Sequence, residues 1–176
     1  MAQGEWITFV DADDTVAEDY FERISSITEE CDMFVWRHSK QTAWGVNPCI
    51  LSFDSLLSKT AGHLENIRPV WNKAFKRQII SEHNLIFDEK IHMGEDYLFV
   101  LTYLHYIKHQ ICWFEQKLYN YNRDNRTLSR KHYPINTLLN WEQNIIEEIN
   151  RLGISKENKN KLLMDRRRSI INAVYY

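Results

Sequence analysis

Three acidic side chains stand within four residues near the start of the sequence, at Asp11, Asp13 and Asp14. They follow the apolar run Trp6–Val10, a pattern typical of a strand buried on both faces in a parallel sheet. Ligands of open α/β sheets bind at the carboxyl ends of such strands. Because like charges repel and carboxylate oxygens suit hard cations, the cluster predicts a site for Mg²⁺ or Mn²⁺. The alternative is an acidic turn that caps the next helix.

A second acidic pair, Glu95-Asp96, follows Gly94 and opens a predicted helix whose apolar residues nearly encircle it. A positioned carboxylate of this kind can act as a general base toward a hydroxyl group. The helix dipole favours the charged form of Asp96, whereas a nearby acidic donor would push its pKa back up, and the sequence leaves that balance open. The alternative is that the pair only begins a helix after a glycine.

The elements that must position these acids alternate between strand and helix. The hydrophobic pattern predicts strands at 6–10, 33–36, 111–114 and 118–121, and helices at 17–31, 51–57, 78–84 and from 95 onward. A long apolar stripe then predicts a helix that ends at Gly153, and Ser155 begins another. This order indicates an α/β or α+β fold with a helical C-terminus.

Composition limits the class of protein. The chain has 176 residues, of which 44% are hydrophobic and 26% charged, so it can bury a core of its own and is not disordered. No apolar run is long enough to cross a membrane. The three cysteines, Cys31, Cys49 and Cys112, are scattered and odd in number. They predict reduced thiols in a cytoplasmic protein rather than disulfides or a zinc site.

Charge is distributed unevenly along the chain. The net charge is −2, yet the segment from Arg151 to the C-terminus is rich in lysine and arginine. Such a segment can contact membrane phosphates or an acidic partner, which would place a cytoplasmic protein at the inner face of the membrane. The alternative is the solvated face of a helix. No nucleic-acid partner is expected.

Two families carry an Asp-x-Asp motif in this position. Phe9–Val16 fits the pattern of the haloacid-dehalogenase-like phosphatases, in which Asp11 would be the phosphoryl nucleophile and Asp13 the acid/base. That interpretation could also use Lys73 and Glu95-Asp96. In glycosyltransferases of the GT-A type, the same motif holds the metal bound to the donor diphosphate. A short motif alone does not decide between them.

Segments further along the chain resemble family 2 glycosyltransferases, of the kind that builds bacterial polysaccharide and lipopolysaccharide. Four ordered segments carry the resemblance: Gly4–Asp14, Val70–Arg77, Phe87–Phe99 and Tyr121–Ser129. They are similar, in turn, to the family's Gly-Glu-Tyr-Ile-Thr-Phe-Val-Asp strand, its Trp-Asn-Lys segment, its Gly-Glu-Asp segment and its late Tyr-x-Arg…Ser segment. The phosphatase alternative leaves most of these segments unexplained. A non-catalytic glycan-binding fragment is the remaining alternative.

The resemblance implies a partial GT-A mixed sheet, an α/β fold, at residues 1–133, with a helical C-terminal extension packed on it at 134–176. It implies transfer, with inversion, from a nucleotide-sugar to a saccharide or lipid-linked acceptor. Asp96 would be the catalytic base, assisted by Glu95, and Asp13 with Asp11 would hold the metal. The resemblance further implies that the donor diphosphate is bound by Arg123, Arg126 and Ser129, and the acceptor by Trp71, Asn72 and Lys73.

The sequence also departs from the family pattern. Members normally begin well before the equivalent of Gly4, with segments that bind the base and ribose of the donor. A truncated product of a glycosyltransferase is therefore expected, with weak or no binding of nucleotide-sugars by the chain alone. The strand at 6–10 would then leave one edge without its neighbour, and self-association is the expected side effect.

Overall fold

The computed structural model describes residues 2–25, 31–37, 49–59, 66–108, 110–122 and 133–175. Seven strands and six helices lie in these ranges. The strands are β1 (Trp6–Thr8), β2 (Thr15–Val16), β3 (Cys31–Trp36), β4 (Cys49–Leu51), β5 (Lys73–Lys76), β6 (Gln110–Phe114) and β7 (Tyr119–Asn120). The helices are α1 (Tyr20–Ser25), α2 (Phe53–Lys59), α3 (Arg77–Glu82), α4 (Glu95–Leu104), α5 (Ile135–Arg151) and α6 (Lys156–Tyr175).

Five of the strands form one mixed sheet in the order β1-β5-β3-β6-β4. The pairing of β3 with β6 is parallel, and the other three pairings are antiparallel. A separate two-stranded sheet joins β2 to β7. The α/β class with a mixed sheet and C-terminal helices, predicted from the sequence, is confirmed.

The first strand differs from the expectation. Within the described part of the chain β1 lies at the edge of the sheet, pairs antiparallel with β5, and is only half-buried. A strand with one neighbour is covered less than the central strand β3, all six residues of which are buried. The regular strand also ends at Thr8, and Phe9 turns into an aromatic cluster with Phe75 and Phe99.

Two hydrophobic clusters cover the two faces of the sheet. Alternate side chains of β3 enter different clusters, Met33 and Val35 on one face and Phe34 and Trp36 on the other, as the period of two in a strand requires. The larger cluster includes residues of α4, α5 and α6, so the C-terminal helices share the core of the sheet. The domain boundary at residue 133 stays a prediction.

Two helix predictions needed correction. The helix predicted to run through Cys31 is described at Tyr20–Ser25, and Cys31 instead begins β3, where it is buried. Leu51 ends β4, and the helix expected at 51–57 begins after it, with the Ser52 hydroxyl accepting the Ser55 N–H at 3.2 Å. In both cases a short strand joins the sheet where periodicity alone favoured a helix. None of the three cysteines forms a disulfide bond.

The C-terminal helices are fastened by polar contacts. Arg166 on α6 forms a buried ion pair with Glu142 on α5, with nitrogen–oxygen distances of 2.5–3.1 Å. Asn158 donates to the Asp54 carboxylate at 2.9 Å and thereby ties α6 to α2. None of the helices in the described residues is long and apolar enough to cross a bilayer.

Candidate functional site

The acidic turn after β1 is shaped by bonds to the 119–122 segment. The Asp11 N–H donates to the Tyr119 hydroxyl at 3.0 Å, and that hydroxyl donates to the Asp14 carboxylate at 2.7 Å. The other Asp14 oxygen accepts the Asn122 N–H at 2.6 Å. Asp14 is therefore occupied in holding the loop, whereas Asp11 and Asp13 are exposed.

The exposed pair fits a cation whose coordination is completed by a ligand. Partial desolvation of its carboxyl group, and after it the charges of Asp14 and Asp13, raise the pKa of Asp11, so a cation at this turn would be favoured. Magnesium typically binds one or two carboxylates and keeps water or substrate phosphates as its other ligands. The described residues contain no cluster of three or more histidine, cysteine or acidic side chains arranged to hold a metal by themselves. Asp11 and Asp13 alone could therefore hold a cation only if oxygen atoms of a substrate supplied the remaining ligands.

Asp96 is the acid with the most unusual environment. It lies in the first turn of α4, after Gly94, whose φ of 91° lies in the left-handed region. Burial raises its pKa to about 6, helped by the charges of Glu95 and Asp11 and opposed by the Val70 N–H that it accepts. The direction of the shift, which the sequence left open, is therefore upward, and burial is its largest cause. An elevated pKa of this size suits a general base near neutral pH.

Asp96 and Glu95 line a cavity of about 800 Å³. Its other lining residues are Phe87, Asp88, Glu89, Ile91, His92, Met93, Gly94 and Tyr133. Phe87 connects the cavity to the end of β1, because its ring contacts that of Phe9 with centroids 5.3 Å apart. Since Asp11 also acts electrostatically on Asp96, the two acidic segments singled out in the sequence lie in one region of the molecule.

Asn72 and Lys73, expected to bind the acceptor, are turned inward and fully buried. The Lys73 ammonium group donates to the backbone oxygens of Asn66 and Pro69 at 2.6 Å and to the Asn72 side chain at 2.7 Å. Burial lowers the pKa of Lys73 far below its usual range. Asn72 in turn donates to the Trp36 and Asn66 carbonyls at 3.1 Å. These contacts hold the 66–73 segment together and leave neither side chain at the surface of the cavity.

Trp71, predicted as an acceptor platform, is half-buried and already stacked on aromatic rings. Its ring centroid lies 4.6 Å from that of Tyr119 and 5.7 Å from that of Tyr121, with nearly parallel planes. The stack joins the 66–73 segment to the 119–122 segment behind the acidic turn. The three residues assigned to the donor diphosphate, Arg123, Arg126 and Ser129, lie outside the described residues.

The cavity also contains side chains that the sequence did not single out. Tyr133 and His92 have ring planes 19° apart with centroids at 6.3 Å, and Trp141 packs edge-on against Tyr133 at 4.8 Å. These residues come from three separate stretches of the chain. No spacing in the sequence connects them.

The comparisons with known proteins point in one direction. No family model matches the chain. A protein of Escherichia coli K12 described as uncharacterized glycosyltransferase YibD is 26% identical over 175 residues, covering 91% of this chain and 49% of its own length. Thus the chain spans about half the length of this curated relative.

Crystal structures of TarS from S. aureus show the same fold. TarS 1–349 in complex with UDP-GlcNAc superimposes with a TM-score of 0.73 at 19% identity, over 96% of this chain and 50% of TarS 1–349. TarS 1–349 without that ligand gives a TM-score of 0.69 at 18% identity. The predicted resemblance is therefore confirmed: the chain has the mixed α/β fold of about half of a glycosyltransferase.

Proposed function

We propose that this chain carries the metal motif and the acceptor half of a nucleotide-sugar-dependent glycosyltransferase. The observation that carries the proposal is the placement of Asp96, with its pKa raised to about 6, on the wall of a large cavity and within electrostatic reach of Asp11. TarS was crystallised with UDP-GlcNAc, which supports a nucleotide-sugar as the donor class. The acceptor would be a saccharide or lipid-linked saccharide of a bacterial surface polysaccharide.

In the proposed reaction an acceptor hydroxyl attacks the anomeric carbon of the donor sugar. The new bond joins the acceptor oxygen to that carbon, the bond from the carbon to the diphosphate oxygen breaks, and the hydroxyl proton passes to Asp96. Glu95 contributes by keeping the pKa of Asp96 high. A single displacement of this kind inverts the configuration at the anomeric carbon.

The leaving diphosphate needs compensating positive charge. Asp11 and Asp13 would hold Mg²⁺ or Mn²⁺ against it, and the cation would supply charge neutralisation. Arg123, Arg126 and Ser129 are proposed as further diphosphate ligands. Trp71, Asn72 and Lys73 are proposed to serve the acceptor indirectly, by fixing the segment whose Val70 N–H bonds Asp96.

Membrane contact through the basic C-terminal segment receives little support from the contacts of its cations. Arg166 is buried against Glu142, Lys161 pairs with Glu157 at 2.8 Å, and Lys159 donates to a backbone oxygen. These three cations serve contacts within the molecule, whereas Arg167 and Arg168 are exposed on α6. We therefore favour a solvated helix face, and cytoplasmic location stays a proposal that cell fractionation would test.

The test of the catalytic proposal is Asp96→Asn in the full-length protein. Transfer from a panel of UDP-sugars with Mn²⁺ should fall by at least about 100-fold, the usual contribution of a general base. Binding of the nucleotide-sugar should change little, because the metal motif is intact. Glu157→Gln is the matched control, an acid-to-amide change in the first turn of α6. An Asp96→Asn variant that keeps most of its turnover contradicts the base role.

The phosphatase alternative makes the opposite prediction. If Asp11 were a phosphoryl nucleophile, the protein would hydrolyse para-nitrophenyl phosphate with Mg²⁺, and Asp11→Asn would abolish the hydrolysis. We expect no such hydrolysis. Absence of both activities with retained glycan binding would instead favour a binding module.

A further inference from the structure

One tyrosine hydroxyl lies at the centre of the hydrogen bonds that shape the acidic turn after β1. The Tyr119 hydroxyl accepts the Asp11 N–H at 3.0 Å and donates to the Asp14 carboxylate at 2.7 Å. The turn is also closed along the backbone, because the Asp14 N–H donates to the Asp11 carbonyl at 3.1 Å. A single hydroxyl group therefore fixes the backbone at Asp11 and the side chain of Asp14 together.

Tyr119 is itself held from two sides. In the two-stranded sheet it pairs with Val16, and the carbonyl of the preceding residue, Leu118, accepts the Ala17 N–H at 2.9 Å. Its ring is buried and stacks on Trp71, with centroids 4.6 Å apart and planes 23° apart. Packing of this kind locks a side-chain rotamer. The position of the hydroxyl is therefore set by the fold around it and not by the acids that it contacts.

These bonds divide the three acids of the turn between two tasks. Both carboxylate oxygens of Asp14 are engaged within the molecule, one by the Tyr119 hydroxyl and the other by the Asn122 N–H at 2.6 Å. Asp11 and Asp13 are exposed and face solvent. A loop that is already held in its ligand-binding shape loses less conformational freedom on binding, and its affinity for the ligand rises accordingly.

We propose that Tyr119 is a positioning residue of the cation site, whose hydroxyl holds the turn in the shape in which Asp11 and Asp13 share one divalent cation. Asp14 serves this arrangement as the acceptor of the hydroxyl and is not itself a cation ligand. The inference rests on the proposed function, because it takes Asp11 and Asp13 as the ligands. It adds a residue from outside both acidic segments and a separate role for the third acid of the cluster.

The experiment measures Mn²⁺ affinity rather than transfer. Equilibrium dialysis of the full-length protein, with UDP on both sides, gives the Mn²⁺ that the protein retains. Tyr119→Phe keeps the ring, its stack on Trp71 and every charge of the turn, and removes only the hydroxyl. Removing a hydrogen-bond partner of a metal ligand typically lowers metal affinity by about 10- to 100-fold, and we expect a loss of about tenfold. Tyr106→Phe, just beyond the C-terminal end of α4, is the matched control and should leave the affinity unchanged.

Asp13→Ala separates failure of this inference from failure of the proposed function. Retention of Mn²⁺ should be lost in this variant, because a ligand is removed. Loss in Asp13→Ala with unchanged affinity in Tyr119→Phe would overturn the positioning role and leave the cation site intact. Unchanged affinity in Asp13→Ala would overturn both.

Excess Mn²⁺ distinguishes positioning from a general loss of structure. In the transfer assay, the kcat of Tyr119→Phe should return close to the wild-type value at saturating Mn²⁺, because the ligands themselves remain. The kcat of Asp13→Ala should stay low. A Tyr119→Phe variant whose kcat stays low at saturating Mn²⁺ would show that the hydroxyl does more or other than set cation affinity, and the proposal would be wrong.

A double-variant cycle tests the role given to Asp14. If Asp14 acts through the Tyr119 hydroxyl, the loss of Mn²⁺ affinity in the variant carrying both Asp14→Ala and Tyr119→Phe should be well below the product of the two single losses, because one arrangement is removed only once. A loss equal to that product would mean that the two residues act independently, and the role of Asp14 as acceptor for Tyr119 would be refuted.

Discussion

Replacing Asp96 by asparagine should make the protein more stable at neutral pH. The native structure raises the pKa of this carboxyl to about 6 from an ordinary value of 3.8. Between these pH values the native protein holds a proton that the unfolded chain has lost, so wild-type stability falls as the pH rises and levels off above about pH 6. Asparagine has no charge to bury, and its side-chain oxygen can still accept the Val70 N–H.

The size of the effect follows from the pKa difference. A difference of about two units, at about 1.4 kcal/mol each, corresponds to about 3 kcal/mol of destabilisation by the ionised form. Because Asp96 is only partly buried, solvent screening reduces the expected gain on substitution to about 2 kcal/mol. The difference between variant and wild type should be near zero at pH 4 and reach its full value by pH 7.

Urea denaturation of both proteins at intervals from pH 4 to pH 8 measures this difference. Other carboxyls titrate in both proteins and cancel in the comparison, except for Glu95 and Asp11, whose charges act on Asp96 directly. Glu157→Gln, on the solvated face of α6, should show no such rise with pH. If Asp96→Asn gained stability equally at every pH, or lost stability at pH 8, the conclusion that the ionised Asp96 destabilises the native protein would be refuted.

Three further predictions concern stability. Gly94→Ala should destabilise by about 1–3 kcal/mol in thermal unfolding, because φ is 91° and a Cβ would lie 2.9 Å from the Ile145 side chain; an unchanged melting temperature would contradict this. Glu142→Gln should lower the free energy of unfolding by about 3–5 kcal/mol in urea denaturation, because it leaves Arg166 buried without its counter-charge. Replacing both Glu142 and Arg166 by apolar residues should recover most of that loss. Hydrogen bonds from α6 lower the pKa of Asp54. The destabilisation caused by Asp54→Ala should therefore be present above pH 4 and vanish as the pH falls below 4. A difference in the free energy of unfolding that stays constant down to pH 2 would argue against those bonds.

The sequence predicted the parts of the fold that depend on local pattern. The continuous apolar run at Met33–Trp36 indicated a buried strand, and β3 lies at the centre of the sheet. Gly94 followed by two acids indicated a helix start, and α4 begins at Glu95. Both features are encoded in neighbouring residues, because a strand core and a helix terminus are decided within a few positions.

The pKa and the burial of the site residues depend on tertiary contacts that the hydrophobic pattern of the sequence does not encode. The direction of the Asp96 pKa shift required its burial to be known, and two adjacent polar residues, Asn72 and Lys73, gave no sign that they would be fully buried. Polar residues in a recognised segment suggest ligand contact, yet these satisfy backbone carbonyls instead. Tyr133 and His92 come from distant segments and meet only in the folded protein, so no local pattern in the sequence indicates the pair.

The C-terminal helices and the acidic turn after β1 are held by different parts of the chain. Trp141 on α5 packs edge-on against Tyr133, and Ile145 and Arg166 lie against Gly94 at the start of α4. The acidic turn after β1 is instead held by the 119–122 segment. Substitutions in α5 and α6 can therefore reshape the cavity without disturbing that turn. Residues outside both acidic segments therefore contribute to the shape of the cavity.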